Sequence, residues 1–197
     1  MADTIIISLF QYQGLKNKWQ AFGRMGRSPL LEQEVPGLRF WRPFGTGGGN
    51  GFSIRPDFST YGLLTVFDTE ATAMAFTQST TFGAYQASAI QYTNLYLHTA
   101  QVHGEWGGSN PFEVTTKLDQ ERPICVITRA TIKPSLALKF WQYVPSVSAS
   151  MDDFPGLIFS KGIGEWPIFM QATFSYWENA KAMKAYAYQN PKHHEMV

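Results

Sequence analysis

The sequence predicts an α+β fold built from two tandem ferredoxin-like βαββαβ units that close into an α+β barrel. A repeated signature is the first reason: Pro36-Gly37-Leu38-Arg39-Phe40, leading to Pro43-Phe44-Gly45, returns 119 residues later as Pro155-Gly156-Leu157-Ile158-Phe159, leading to Ile163-Gly164. The second is that residues 64–74 and 173–183, at an offset of 109, each read as apolar strand, polar break and Ala-rich helix start. One insertion within 46–60 reconciles the two offsets. The third is the order of periodicities, which is strand, helix, strand, strand, helix, strand in the first copy and begins again in the second. A four-stranded antiparallel sheet with helices on one face leaves its other face to be covered, so the two sheets are expected to face each other.

Each element has its own warrant. Thr4–Tyr12 is a continuous run rich in β-branched residues and reads as a buried strand. A helix follows over 15–31, with Leu15, Trp19 and Phe22 spaced as one face, and Pro36-Gly37 ends it. Strands are predicted at 38–44 and 61–67, one helix at 70–90, and a fourth strand at 92–102 from its alternation. Gly107-Gly108-Ser109-Asn110-Pro111 marks the connector, dividing the chain into units 1–110 and 111–197. The second unit is predicted as strand 124–132, helix 135–150 capped by Ser135, strands 157–162 and 168–176, and a helix from Glu178. Its eighth strand is missing, and the chain is expected to continue past Val197.

Composition narrows the function classes. A net charge of +1 with 16% charged residues gives no basic face for nucleic acid. Aromatic residues at 15% suit either a generously packed core or a pocket for a large apolar ligand. Cys125 is alone, so no intrachain disulfide forms, a cytoplasmic compartment is the default and an inert core thiol is expected. No apolar run approaches the roughly 18 residues of a spanning helix, so any membrane contact is expected to be peripheral.

Several motifs invite chemistry. The segment Gly45-Thr46-Gly47-Gly48-Gly49-Asn50-Gly51 lacks the helix that a phosphate loop requires, which leaves a flap over a pocket or an inert loop. His98, His103, His193 and His194 show no zinc spacing. His98 reads as a framework residue in its strand, and His103 as a surface residue. His193 or His194 is either an exposed helix end or an axial metal ligand. Aligning the copies pairs His193 with Ala84, so only the second copy would coordinate. Arg129, inside an apolar strand, requires a carboxylate or an anionic ligand, and Glu165 is a candidate partner.

Longer ordered stretches carry a resemblance. Phe40-Trp41-Arg42-Pro43-Phe44-Gly45-Thr46-Gly47 with Gly51-Phe52, Gly104-Glu105-Trp106-Gly107-Gly108, Thr128-Arg129-Ala130-Thr131-Ile132-Lys133-Pro134, Phe140-Trp141, and Lys161-Gly162-Ile163-Gly164-Glu165-Trp166-Pro167 with Gln171-Ala172-Thr173-Phe174-Ser175 resemble the spheroidene monooxygenase (carotenoid ketolase) family. The plan is also similar to haem proteins of the dimeric α+β barrel group. Trp166 and Phe169-Met170 depart from that family's pattern, so no distal histidine is expected there.

The resemblance implies a haem b monooxygenase that hydroxylates or ketolates an acyclic carotenoid-like polyene with dioxygen and electrons from a ferredoxin or reductase. It implies His193 as the axial ligand, with His194 as the register alternative, and Trp141 and Phe174 beside the haem. Arg129 and Gln171 would be distal donors, with Glu165 orienting Arg129 or relaying protons. Trp41, Phe44, Phe52, Trp106 and Phe169, joined by Trp141, would line an apolar channel. A homodimer is compatible with the barrel. The alternatives are a haem dehydratase or peroxidase on the same scaffold, or a non-enzymatic barrel that binds an apolar ligand.

Overall fold

The computed structural model describes residues 3–31, 33–49, 53, 55–133, 135, 142, 144, 151, 154–166 and 170–189. The chain is α+β and divides into two compact units, Met1–Gly45 with Phe58–Leu118, and Thr46–Asp57 with Asp119–Val197. The glycine-rich segment, grouped by sequence with residues 1–110, thus belongs with the second unit.

In the first unit β1 (Thr4–Tyr12), β2 (Leu38–Gly47), β3 (Pro56–Phe67) and β4 (Ala89–Leu97) stand in the order β4-β1-β3-β2. β1 pairs antiparallel with both neighbours, Ile7 opposite Leu64 on one side and Leu95 on the other. This is the order expected of βαββαβ. β1 is buried on both faces, which is why apolar residues succeed one another at Ile5, Ile6 and Ile7 without alternation. Ile6, Phe10, Leu63 and Phe67 form one core with Phe76, Phe82 and Tyr85 from the helices. Ile5, Ile7, Leu64 and Val66 are buried on the other face.

Several predicted elements differ, among them the fourth strand, expected over 92–102, which runs Ala89–Leu97. The helix expected over 70–90 is two, α2 (Glu70–Thr77) and α3 (Thr80–Gln86). Ser79, extended between them, accepts the Phe82 backbone N–H at 3.2 Å and starts a new helix. The segment 46–60, expected as a loop, is strand at both ends, with β2 running to Gly47, β3 starting at Pro56, and Gly48 N–H donating to the Arg55 carbonyl at 2.8 Å.

α1 (Leu15–Gly26) starts where expected but ends at Gly26 rather than near Leu31, with a separate 3-10 turn over Pro29–Leu31, and Ala21 and Met25 meet the core while Leu15, Trp19 and Phe22 stay exposed. In the second unit β5 (Ile124–Thr131), β6 (Leu157–Trp166) and β7 (Met170–Trp177) stand in the order β6-β7-β5. α4 (Ala180–Gln189) covers the face of Trp177, whose ring lies 5.5 Å from Tyr186 and 6.2 Å from Phe154. The helix predicted over 135–150 falls almost wholly outside the described residues.

The repeated signature is one turn used twice. Leu38 N–H bonds the Val35 carbonyl and Leu157 N–H the Phe154 carbonyl, both at 3.1 Å. Gly37 (φ 72) and Gly156 (φ 83) occupy the left-handed region. Their carbonyls accept from Asp68 N–H at 2.9 Å and Glu178 N–H at 2.8 Å. Each following helix has its cap, with Thr69 accepting from Thr72 N–H and Asn179 from Ala182 N–H. These equivalences correct the second offset from 109 to 110, because the polar break is aligned one residue further on. The first-copy counterpart of His193 becomes Gly83 rather than Ala84, and neither side chain can ligate.

Candidate functional site

β7 lies between β5 and β6, and Ala172 is opposite Arg129 on one side and Ile163 on the other. Opposed residues project to the same face of a sheet, so these three share a face. Phe174, opposite Ile127 and Lys161, continues it and is 1% exposed. Glu165 sits at the register shift between Gly164 and Trp166, the kind of irregularity that re-aims a side chain. Arg129 Nε consequently lies 3.5 Å from Glu165 Oε1, with side chains only 17% and 18% exposed. The methyl group of Ala172 leaves room for the guanidinium to cross the middle strand. Of the two neutralising schemes that Arg129 admitted, the carboxylate is present.

Gln171 pairs with Ala130 and Gly164, and its position, next to Ala172 on β7, belongs to the opposite face of the sheet from Arg129, so the register does not bring the two expected donors together. Its strand position is described and its side chain is not. Trp141, His193, His194, Phe52 and Phe169 lie outside the described residues.

The remaining aromatic candidates are in separate settings. Trp41 borders a cleft of about 540 Å³ with Val35, Pro36, Leu38 and Arg39, and packs against the helix-side core. Phe44, three positions along the same strand, belongs to its opposite face and is buried over Gly62. Trp106 is buried against Phe40 at 5.8 Å and Phe112 at 6.0 Å, which anchors the connector to β2. Arg42 stacks 4.5 Å above the Phe40 ring.

Lys161 on β6 was missed by sequence reasoning. It donates to the Gly49 carbonyl at 3.1 Å and pairs with Asp57 at 3.5 Å, fastening both sides of the glycine-rich hairpin tip within the second unit. A lysine flanked by Ser160 and Gly162 in an otherwise apolar strand was the available signal.

Other groups are committed elsewhere. Burial pushes the Cys125 thiol up to about 11, so it stays protonated. His98 Nδ1 lies 3.0 Å from the Asp3 carbonyl, as suits a framework residue. His103 is exposed. Among the described residues no group of three or more His, Cys, Asp or Glu stands together, and no helix is long and apolar enough to cross a membrane.

No family model matches the chain. Curated relatives do. The spheroidene monooxygenase of Rhodobacter capsulatus is 33% identical over 196 residues, covering 97% of this chain and 80% of that protein. That of Rubrivivax gelatinosus is 32% identical over 188 residues, covering 94% and 72%. That of Cereibacter sphaeroides is 30% identical over 186 residues, covering 94% and 57%. Among solved structures, an aldoxime dehydratase aligns with 98% of this chain and 74% of its own at a TM-score of 0.54 and 12% identity, a likeness of fold.

Proposed function

The chain belongs to the spheroidene monooxygenase family, and on that premise we propose that it oxygenates an apolar, carotenoid-like polyene using haem b, dioxygen and electrons from a reduced ferredoxin or its reductase. In such a reaction one oxygen atom enters a substrate C–H bond and the other leaves as water, consuming two electrons and two protons. Bound haem would supply the redox-active iron.

The observation that carries the reading is identity to the relatives over nearly the whole chain, with the Arg129–Glu165 pair as its chemical counterpart. A guanidinium mostly withdrawn from water and paired with Glu165 places fixed positive charge where an anion, such as a propionate, could be attracted. Glu165 holds Arg129 in orientation and can pass a proton.

On the resemblance to the family, His193, or His194 in the alternative register, is proposed as the residue that would hold the haem iron; the protonated Cys125 thiol would not compete as a thiolate. The cleft beside Trp41, lined also by Gln33, Glu34, Val35, Pro36, Leu38 and Arg39, is proposed to receive part of the polyene.

The test is an absorption spectrum of the purified chain loaded with haem, followed by turnover of an acyclic carotenoid under isotopically labelled dioxygen with ferredoxin and its reductase. A Soret band lost in His193→Ala or His194→Ala, and product carrying one labelled oxygen, are expected. A spectrum unchanged in both variants, or product without label, overturns the reading.

A further inference from the structure

α1 presents an apolar stripe to solvent. Leu15 is 81% exposed, Trp19 71% and Phe22 49%, and the stripe continues onto Phe58 of β3 at 55%. Trp19 and Phe22 meet edge-on at 5.9 Å, and Phe22 and Phe58 at 6.4 Å, so this is one contiguous aromatic surface. The helix is docked by its other side, through Ala21 and Met25. Burying these rings in the protein is therefore not what their spacing does.

Charge along the α1 segment is one-signed, while Asp57, beside Phe58, is paired with Lys161. Between Gly14 and Ser28 the chain has Lys16, Lys18, Arg24 and Arg27 and no Asp or Glu, in a protein whose net charge is +1. Lys16 and Lys18 flank the stripe, and Arg27 follows the helix end. Arg24 turns towards Ser88, 3.4 Å away. Apolar and aromatic side chains on one stripe, cations at its margins and low overall hydrophobicity are the features of a helix that lies in a membrane interface. The lysine stems can then run along the apolar surface while their ammonium groups reach phosphate.

We propose that the Leu15–Trp19–Phe22–Phe58 face docks the protein on an anionic lipid bilayer. A second copy of the chain fits the same surface less well. A two-fold contact sets a patch against itself, and would bring Lys16, Lys18 and Arg27 against their own equivalents with no carboxylate in the segment to offset them. Anionic headgroups supply the missing charge. Neither haem nor the identity of the substrate enters this inference.

Flotation with phosphatidylglycerol/phosphatidylcholine vesicles, against phosphatidylcholine alone, tests it. The chain is expected to float with the anionic vesicles, to be released by high salt, and to lose more than about tenfold in partitioning on Lys16→Glu/Lys18→Glu. Leu15→Ser/Trp19→Ser/Phe22→Ser should abolish flotation with an unchanged circular-dichroism spectrum, since these side chains leave the core untouched. Failure of the wild type to float, or equal flotation of folded variants, overturns the proposal. So does a dimer that the triple variant converts to monomer without any vesicle binding, which would assign the face to a second copy.

Discussion

Arg129 of β5 and Glu165 of the β6 bulge meet above Ala172 of the strand between them, with Nε 3.5 Å from Oε1. The pair is neither open to water nor fully enclosed, so removing one partner should cost between the surface and interior cases, about 1–3 kcal/mol. Glu165→Gln keeps the shape and removes the charge. It should lower stability by that amount in urea melts and reduce turnover at least tenfold while unfolding remains cooperative. Arg129→Lys retains the charge without the planar fork and should lose turnover with a smaller change in stability. Wild-type turnover in both would remove the pair from the chemistry.

A second relationship is steric. A Cβ added to Gly62 would lie 2.0 Å from Phe44 Cε2, so the ring occupies the space that any side chain at 62 would need. Gly62→Ala should destabilise by about 1–3 kcal/mol through displacement of a buried ring. Phe44→Leu costs stability alone, but in combination should recover part of the Gly62→Ala loss. The double-mutant cycle in chemical denaturation measures that coupling, and strict additivity would show that the ring does not depend on Gly62.

These contacts mark the limits of what was legible. The repeat, the βαββαβ order and the starts of β1, α1 and β2 follow from periodicity and turn residues, which are local. The split at Ser79 was readable in principle, because a serine three residues before Phe82 is a capping signal, yet the surrounding helical periodicity masked it. The exposure of Trp19 was not readable. Leu15, Trp19 and Phe22 have the spacing of a core face, and only the docking of Ala21 and Met25 shows which side is turned in. Arg129 and Glu165 could be proposed as partners because both are charged residues in apolar strands. Phe44 over Gly62 and Lys161 on the hairpin tip depend on register between distant segments, which one sequence does not contain.

Lys161 gives a prediction about that hairpin. Its bond to the Gly49 carbonyl and its pairing with Asp57 close the tip from one side chain. Lys161→Met keeps the stem and removes both. If together they contribute about 1 kcal/mol, local opening should rise about fivefold. Digestion with a non-specific protease, with mass mapping of cuts between 47 and 56, should show that acceleration there and not at α2. An unchanged rate would mean that the tip is held by its own backbone bonding.

Alkaline stability follows from Tyr85. Burial raises its phenol to about 12, and its hydroxyl lies 2.5 Å from Ser28 Oγ. The folded state therefore holds a proton that the unfolded chain, with an ordinary tyrosine near 10, releases first. The stabilisation is complete below pH 10 and is lost as pH rises towards 12. Denaturant midpoints should fall across that interval. In Tyr85→Phe the decline should be shallower, and stability at pH 7 should be lower by about 1 kcal/mol for the lost hydrogen bond. Tyr12, also raised by burial, accounts for slope that remains.

Gly37 and Gly156 should respond alike to substitution, because the two turns are equivalent, but their rescue should differ. Both have positive φ, so alanine at either costs about 1–2 kcal/mol from the backbone alone. At Gly156 the added Cβ would also lie 2.5 Å from the Ala182 Cβ, whereas at Gly37 it would meet Asp68 Oδ1 at 2.4 Å and Thr72 at 2.8 Å. The Ala182 methyl group is on α4 and cannot rotate away. Ala182→Gly in the Gly156→Ala background therefore removes the steric part and leaves the conformational part. Thermal and urea melts should show partial recovery, offset by the lower helix propensity of glycine. Asp68 can swing aside, but doing so breaks its 2.7 Å bond from Thr72 Oγ1 at the start of α2, so Gly37→Ala should also loosen that helix. Hydrogen exchange at the Thr72 and Ala73 amides would detect it. Full recovery of Gly156→Ala by Ala182→Gly would show that φ carries no cost there, contrary to the turn geometry that both copies share.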